Sequence, residues 1–141
     1  VSGAEAPTGR NETAWRMFEA DRASKNLGMR LLEATDGRAV VEMVVGPLML
    51  NGYDIAHGGL LFTLADTAFA CACNVDGGGV TVASGADVTF VAPAHEGDVL
   101  VATAEERVVF GRSGVYDVTV RRGEEIVAEF RGRSRTLAGH G

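Results

Sequence analysis

The segment from Asn51 to Asn74, NGYDIAHGGLLFTLADTAFACACN, does most to restrict the folds open to this chain. A polar loop leads through His57-Gly58-Gly59 into an apolar run from Leu60 to Cys73, broken only by Thr63, Asp66 and Thr67. The run is long enough for about four helical turns, yet too short and too polar at its ends to cross a bilayer. A helix apolar on all faces predicts a fold that surrounds it rather than covering one side. Asp66 then lies mid-helix with no Lys or Arg in the segment to pair with, and an ionisable group held that way is a candidate site.

The flanking sequence supplies the wrapping. Residues 1–11 are polar and read as a disordered tail. From Glu12 to Lys25, the positions of Ala14, Met17, Phe18 and Asp21 predict one short amphipathic helix ending near Gly28. Met29 to Thr35 and Arg38 to Val45, divided by Asp36-Gly37, predict a hairpin closed by Gly46-Pro47. After the Gly-rich NVDGGG come four alternating runs, Thr81 to Val91, Val99 to Phe110, Gly114 to Arg122 and Ile126 to Thr136. Strands of that length span roughly 30 to 40 Å against about 21 Å for the helix, so the sheet can wrap it. The expected class is α+β: one domain over 12–137, a long antiparallel sheet curled around a central helix, and a short tail at 138–141.

At 141 residues and 46% hydrophobic composition, one soluble domain with one core is expected. A net charge of -6 argues against a phosphate-tracking nucleic-acid surface. The first residues, VSGAEAPTGRNE, lack the basic and apolar pattern of a signal peptide, which leaves the cytoplasm as the expected location. Cys71 and Cys73 lie two positions apart on the proposed helix, point away from each other and read as small buried hydrophobes. His95 falls in a turn and His140 in the tail, so no His/Cys cluster has metal spacing and no metal is expected. The fingerprints of serine hydrolases, phosphate loops and dinucleotide sites are all missing.

Chemistry concentrates around the helix. Two glycines at its mouth offer unshielded backbone N–H groups where the helix dipole is positive, which suits an oxyanion such as a polarised thioester carbonyl; equally, they permit a tight turn. Asp66 stands seven positions beyond Gly59, about 10 Å along the axis, so one helix cannot present both groups to one carbonyl. Gly59, Thr63, Asp66, Thr67 and Ala70 form a face of small or polar residues that admits close approach by a ligand or a second subunit. Either the two groups serve different purposes, or Asp66 meets the Gly58 turn of a second subunit across a two-fold axis, which would give a dimer with two sites, each built from both chains. His57 reads as a donor fixing the loop before Gly58, although acid or base roles stay open. Asn51 either positions water or thioester, or forms the Asn-Gly turn.

These residues, Asn51…His57-Gly58-Gly59…LADTAFACACN, with the strand ending at Pro93, GRSGVYDVTV and FRGRS, resemble the hotdog-fold acyl-CoA thioesterases of phenylacetate degradation over nearly the whole chain after residue 12. The resemblance implies hydrolysis of an aryl-acetyl or hydroxylated aryl-acetyl CoA, no cofactor beyond the substrate's own coenzyme A, and a tetramer made of two dimers. It makes Asp66 the catalytic carboxylate, general base or nucleophile, with Thr67 orienting water or carboxylate. Desolvation would raise the Asp66 pKa, whereas hydrogen bonds from Thr67 or a neighbouring chain would hold it ionised. Coenzyme A phosphates fit Arg112 and Ser113 in a turn and Arg131, Arg133 and Arg135 on one strand face. Where the family commonly has a basic residue before Pro93, this chain has Ala92, which predicts rearranged phosphate contacts. Two rivals remain: a hotdog hydratase or dehydratase using His57, and a non-catalytic acyl-CoA binding module.

Overall fold

A computed structural model describes residues 9–138. The first two strands, β1 (Arg30–Thr35) and β2 (Arg38–Val44), form the hairpin demanded by Asp36-Gly37, where Gly37 takes φ 81°. The apolar run becomes the long helix α3 (Gly58–Cys73). Behind it come β3 (Thr81–Phe90), β4 (Val99–Phe110), β5 (Ser113–Arg122) and β6 (Glu125–Thr136). All six strands join one antiparallel sheet in the order β1-β2-β4-β5-β6-β3. β4 to β6 form a meander, while β3 crosses over α3 to pair with β6 and becomes an edge.

The inner face of the sheet explains the grip on α3. Val41, Met43, Leu100, Ala102, Val118, Val120 and Phe130 are buried against Leu61, Leu64, Ala65, Ala68, Phe69 and Ala72 of the helix. Phe69 lies 5.5 Å from the Tyr116 ring and 5.8 Å from the Phe130 ring, centroid to centroid. A Cβ on Gly132 would stand 2.8 Å from Phe69 ring atoms, so this glycine is what lets helix and sheet approach. Cys71 and Cys73 are free and buried, and burial pushes both thiols up to about 12.

The N-terminal region differs from its sequence-based expectation. In place of one helix from residue 12 to 25 there are two, α1 (Glu12–Glu19) and α2 (Arg22–Asn26). Asp21 is not on a helix face: its backbone is extended and its Oδ1 accepts the Ser24 amide at 3.0 Å, an N-cap that restarts the chain. Asn11, assigned to the disordered tail, is buried and caps α1, and its Nδ2 donates to Asn74 O at 2.7 Å. Residues 1–8 and 139–141 of the two expected tails, with His140, lie outside the described residues.

Surrounding is also incomplete. The sheet covers one side of α3 and the α1–α2 pair covers another, while Phe62, Thr63, Asp66 and Ala70 remain only partly buried and Gly59 exposed. Most of β3 is likewise uncovered, with Val82 and Phe90 at 42% and 52% exposure.

The start of α1 is tied to the loop after α3 by one side chain. Asp76 accepts from Glu12 N, Thr13 N and Thr13 Oγ1 at 3.1, 2.7 and 2.6 Å. The Thr13 hydroxyl bond and then the two amides hold its carboxyl below the ordinary value of 3.8. A depressed folded-state pKa contributes stability that is present above the unfolded value and lost as pH falls through the folded one. Acid unfolding followed by circular dichroism should therefore steepen below about pH 4 in the parent, and more gently in Asp76→Asn. Equal acid sensitivity of the two proteins would contradict this role for Asp76.

Candidate active site

His57 is the N-cap of α3, and its Nδ1 accepts the Gly59 amide at 3.0 Å. That bond ties the ring to the start of the helix, with Nδ1 accepting where the sequence predicted a donor. It also removes Gly59 from the pair of expected oxyanion donors, because its N–H is spent. The Gly58 amide makes no hydrogen bond among the described residues. The positive end of the helix is thus focused on one open donor.

Gly58 opens onto an apolar cavity of about 430 Å³, lined also by Asn51, Ile55, Leu61, Phe90, Ala92 and Pro93. The Phe90 ring lies over the glycine so closely that a Cβ there would sit 2.9 Å from its Cζ. Asn51 forms the turn: its Oδ1 accepts Tyr53 N at 2.8 Å and Ile55 N at 3.3 Å. That engages its carbonyl and leaves its Nδ2 without a bond among the described residues, on the wall of the same cavity. Phe90 was not singled out by the sequence, although its place at the end of a strand leading to Pro93 was the available signal.

Asp66 lies eight residues after Gly58 on the same straight helix, about 12 Å along its axis. It accepts no hydrogen bond and forms no ion pair among the described residues, so no cation neutralises it there. Burial, with the negative charge of Asp21 adding to it, raises its pKa above the ordinary 3.8. The expected bond from Thr67 is not made. Thr67 is buried against α2, with Oγ1 2.8 Å from Ser24 Oγ.

The thioesterase superfamily model matches residues 53–129, which takes in the His57-Gly58-Gly59 turn and all of α3. The acyl-coenzyme A thioesterase PaaI of Escherichia coli strain K12 is 44% identical over 129 residues, 91% of each chain. The chain belongs to the thioesterase superfamily. The structure of E. coli PaaI, from the phenylacetic acid degradation operon, matches with a TM-score of 0.86 at 42% identity, covering 93% of this chain and 98% of that one. A mutant of the phenylacetic acid degradation protein PaaI from Thermus thermophilus gives a TM-score of 0.79 at 34% identity, over 83% and 100% of the two chains. The fold is therefore the hotdog that the resemblance implied, carrying extra N-terminal helices, and the superfamily makes this chain a thioester hydrolase.

Within this thioesterase the expected phosphate contacts do not converge. Arg131 and Arg133 alternate with buried Gly132 and Ser134, so they point away from α3 on the outer face of the sheet. Arg131 makes a two-pronged ion pair with Asp117 at 2.7 and 2.9 Å, and Arg133 meets Asp87 at 3.4 Å. Asp117 stands opposite Arg131 in the register and Asp87 lies diagonally across from Arg133, relations invisible in the linear sequence. Arg112 and Ser113 instead line a second cavity of about 380 Å³ at the C-terminal end of α3, with Cys73, Gly79, Tyr116 and Thr136. Among the described residues no three His, Cys, Asp or Glu side chains gather closely enough to hold a metal ion, and no helix is long and apolar enough to cross a membrane.

Proposed function

We propose that this protein hydrolyses acyl-CoA thioesters, with an aryl-acetyl or hydroxylated aryl-acetyl group as the preferred acyl part. The observation that carries the reading is the open Gly58 amide at the mouth of an apolar cavity of about 430 Å³. The amide and helix dipole would stabilise the oxyanion that forms on the thioester carbonyl, and the cavity would take the ring. Asp66, undonated and desolvated, would act as base on water or as nucleophile. The names of the relatives, an acyl-coenzyme A thioesterase and proteins of phenylacetic acid degradation, support the substrate class.

Because Gly58 and Asp66 stand about 12 Å apart on one helix, each site would join Gly58 of one chain to the acid of a second. The half-open stripe of Gly59, Thr63, Asp66 and Ala70 suits that approach, and a tetramer of two such dimers is the fuller assembly. Arg112 and Ser113 would hold coenzyme A phosphates; Arg131 and Arg133 would join only by exchanging Asp117 and Asp87 for phosphate oxygens. No cofactor beyond the substrate's own coenzyme A is required by these steps.

A thiol-release assay across phenylacetyl, hydroxyphenylacetyl, benzoyl and straight-chain CoA esters tests the reading. The highest kcat/KM is expected for the aryl-acetyl esters, and only a dimer or larger species should be active in light scattering coupled to the assay. A stable, active monomer would overturn the shared site, and binding of all the esters without thiol release would favour the binding-module rival.

A further inference from the structure

Two helices outside the superfamily match reach into the site from behind. Ser24, buried on α2, donates its hydroxyl proton to Asp21 Oδ2 at 2.6 Å, while its amide donates to Asp21 Oδ1 at 3.0 Å. Its oxygen also lies 2.8 Å from Thr67 Oγ1, the residue next to Asp66. A serine has one hydroxyl proton, and here it goes to the carboxylate; the Ser24–Thr67 contact must therefore be closed by the Thr67 proton. The chain of donation runs one way, from Thr67 to Ser24 to Asp21.

We infer that Ser24, held by Asp21, is a positioning residue for the hydrolytic step: it takes the single hydroxyl proton of Thr67 and so leaves the neighbouring Asp66 without a donor from its own chain. This rests on Asp66 being the reacting carboxylate. The consequence is electrostatic. A carboxylate that receives a hydrogen bond is held ionised and made a weaker base; the Thr63 hydroxyl is spent on Gly59 O at 2.9 Å, which leaves Thr67, next to Asp66 in the chain, as the helix hydroxyl to supply one. Ser24 diverts it. One titratable group acts on Asp66, Asp21 from the α1–α2 junction, whose charge works in the same direction as burial; the charge of Asp66 in turn raises the Cys73 thiol on its own helix. Nothing cationic among the described residues is close enough to reverse that balance.

The test is the titration of Asp66, read in the full-length oligomeric enzyme both as the acid limb of the kcat/KM profile and as the carbon-13 shift of its labelled carboxyl. In Ser24→Ala the Thr67 proton is released, and both readings should move to lower pH by about one unit, so activity well below the parent limb, scaled to its plateau, rises up to about tenfold. Ser24→Thr should keep the parent titration. In a Thr67→Val background Ser24→Ala should cause no shift, because no hydroxyl remains to redirect. If Ser24→Ala does not fold, Ser24→Cys replaces it: its thiol is only a weak acceptor, and the titration should move in the same direction. Looser packing alone would lower the melting temperature and weaken the desolvation of Asp66, moving the titration equally with and without the Thr67 hydroxyl. An unmoved Asp66 carboxyl in a folded Ser24→Ala or Ser24→Cys protein, or an equal shift in the Thr67→Val background, overturns the inference. Full activity in Asp66→Asn would instead remove the functional reading beneath it, while the carboxyl shift would still be measurable in the parent background.

Discussion

Asp66→Asn is expected to lower kcat for thioester hydrolysis by about a thousandfold, the range lost when a positioned acid–base group is removed, while KM for the acyl-CoA stays within a few-fold. The split follows from where the groups are. The cavity and the open amide belong to the Gly58 end of the helix and are untouched by the substitution, so ground-state binding survives. The same variant should be more stable than the parent near neutral pH. Asp66 is partly buried, bonded to no donor among the described residues, and its folded-state pKa is raised, so ionising it costs the folded state something that an amide does not incur. The sign is opposite to that for Asp76: below the ordinary carboxylate value Asp66 is protonated whether folded or not, and the gap between the two proteins closes; it widens as pH rises through the folded pKa. Melting curves from pH 4 to 8 check this beside the activity assay. Undiminished turnover would take Asp66 out of the mechanism, and a lower melting temperature at neutral pH would mean that the carboxylate is compensated in the assembled protein.

The architecture was legible because each signal was local. Asp36-Gly37 specifies a two-residue hairpin, the unbroken apolar run specifies a buried helix, and period-two alternation marks four strands to within a residue or two. Gly58 and Asp66 stood out for the same reason, since a glycine at a helix mouth and a carboxylate in an apolar run are anomalies in a linear pattern. Relations across the fold were not legible. Asp21 fitted the periodicity of α1 as well as any residue, and only the capping bond to Ser24 shows that the helix stops before it. Gly59 looked equivalent to Gly58 until His57 Nδ1 claimed its amide, and Thr67 looked like a partner for Asp66 until Ser24 took its hydroxyl. Arg131 and Arg133 read as a free basic stripe because Asp117 and Asp87 are neighbours only through strand register.

Phe69→Ala should cost about 3 to 5 kcal/mol of folding stability, the largest loss expected from any single truncation in the core. Phe69 is 1% exposed and rests between the Tyr116 and Phe130 rings. The spread of such costs depends on whether the surroundings can collapse into the space left, and here they cannot. One wall is Gly132, which has no side chain to swing inward, and its backbone is held in the sheet between Ala86 on β3 and Tyr116 on β5. The opposite wall is α3 itself. Against a typical total of about 5 to 15 kcal/mol the loss removes roughly a fifth or more of the margin. Urea unfolding at one fixed protein concentration should show it as a lower midpoint with an unchanged slope, concentration being held because an oligomer's midpoint moves with it. Phe69→Leu, which refills most of the volume, should lose well under half as much. A cost below about 1 kcal/mol for the alanine would show that α3 is not pinned at this point. The functional stake lies in the shared helix: Gly58 and Asp66 ride on the same rigid element, so their spacing in any two-chain site is only as constant as the seat of α3 on the sheet. A variant that loosens Phe69 while still folded should therefore lose kcat at a cavity and a carboxylate that it never touches.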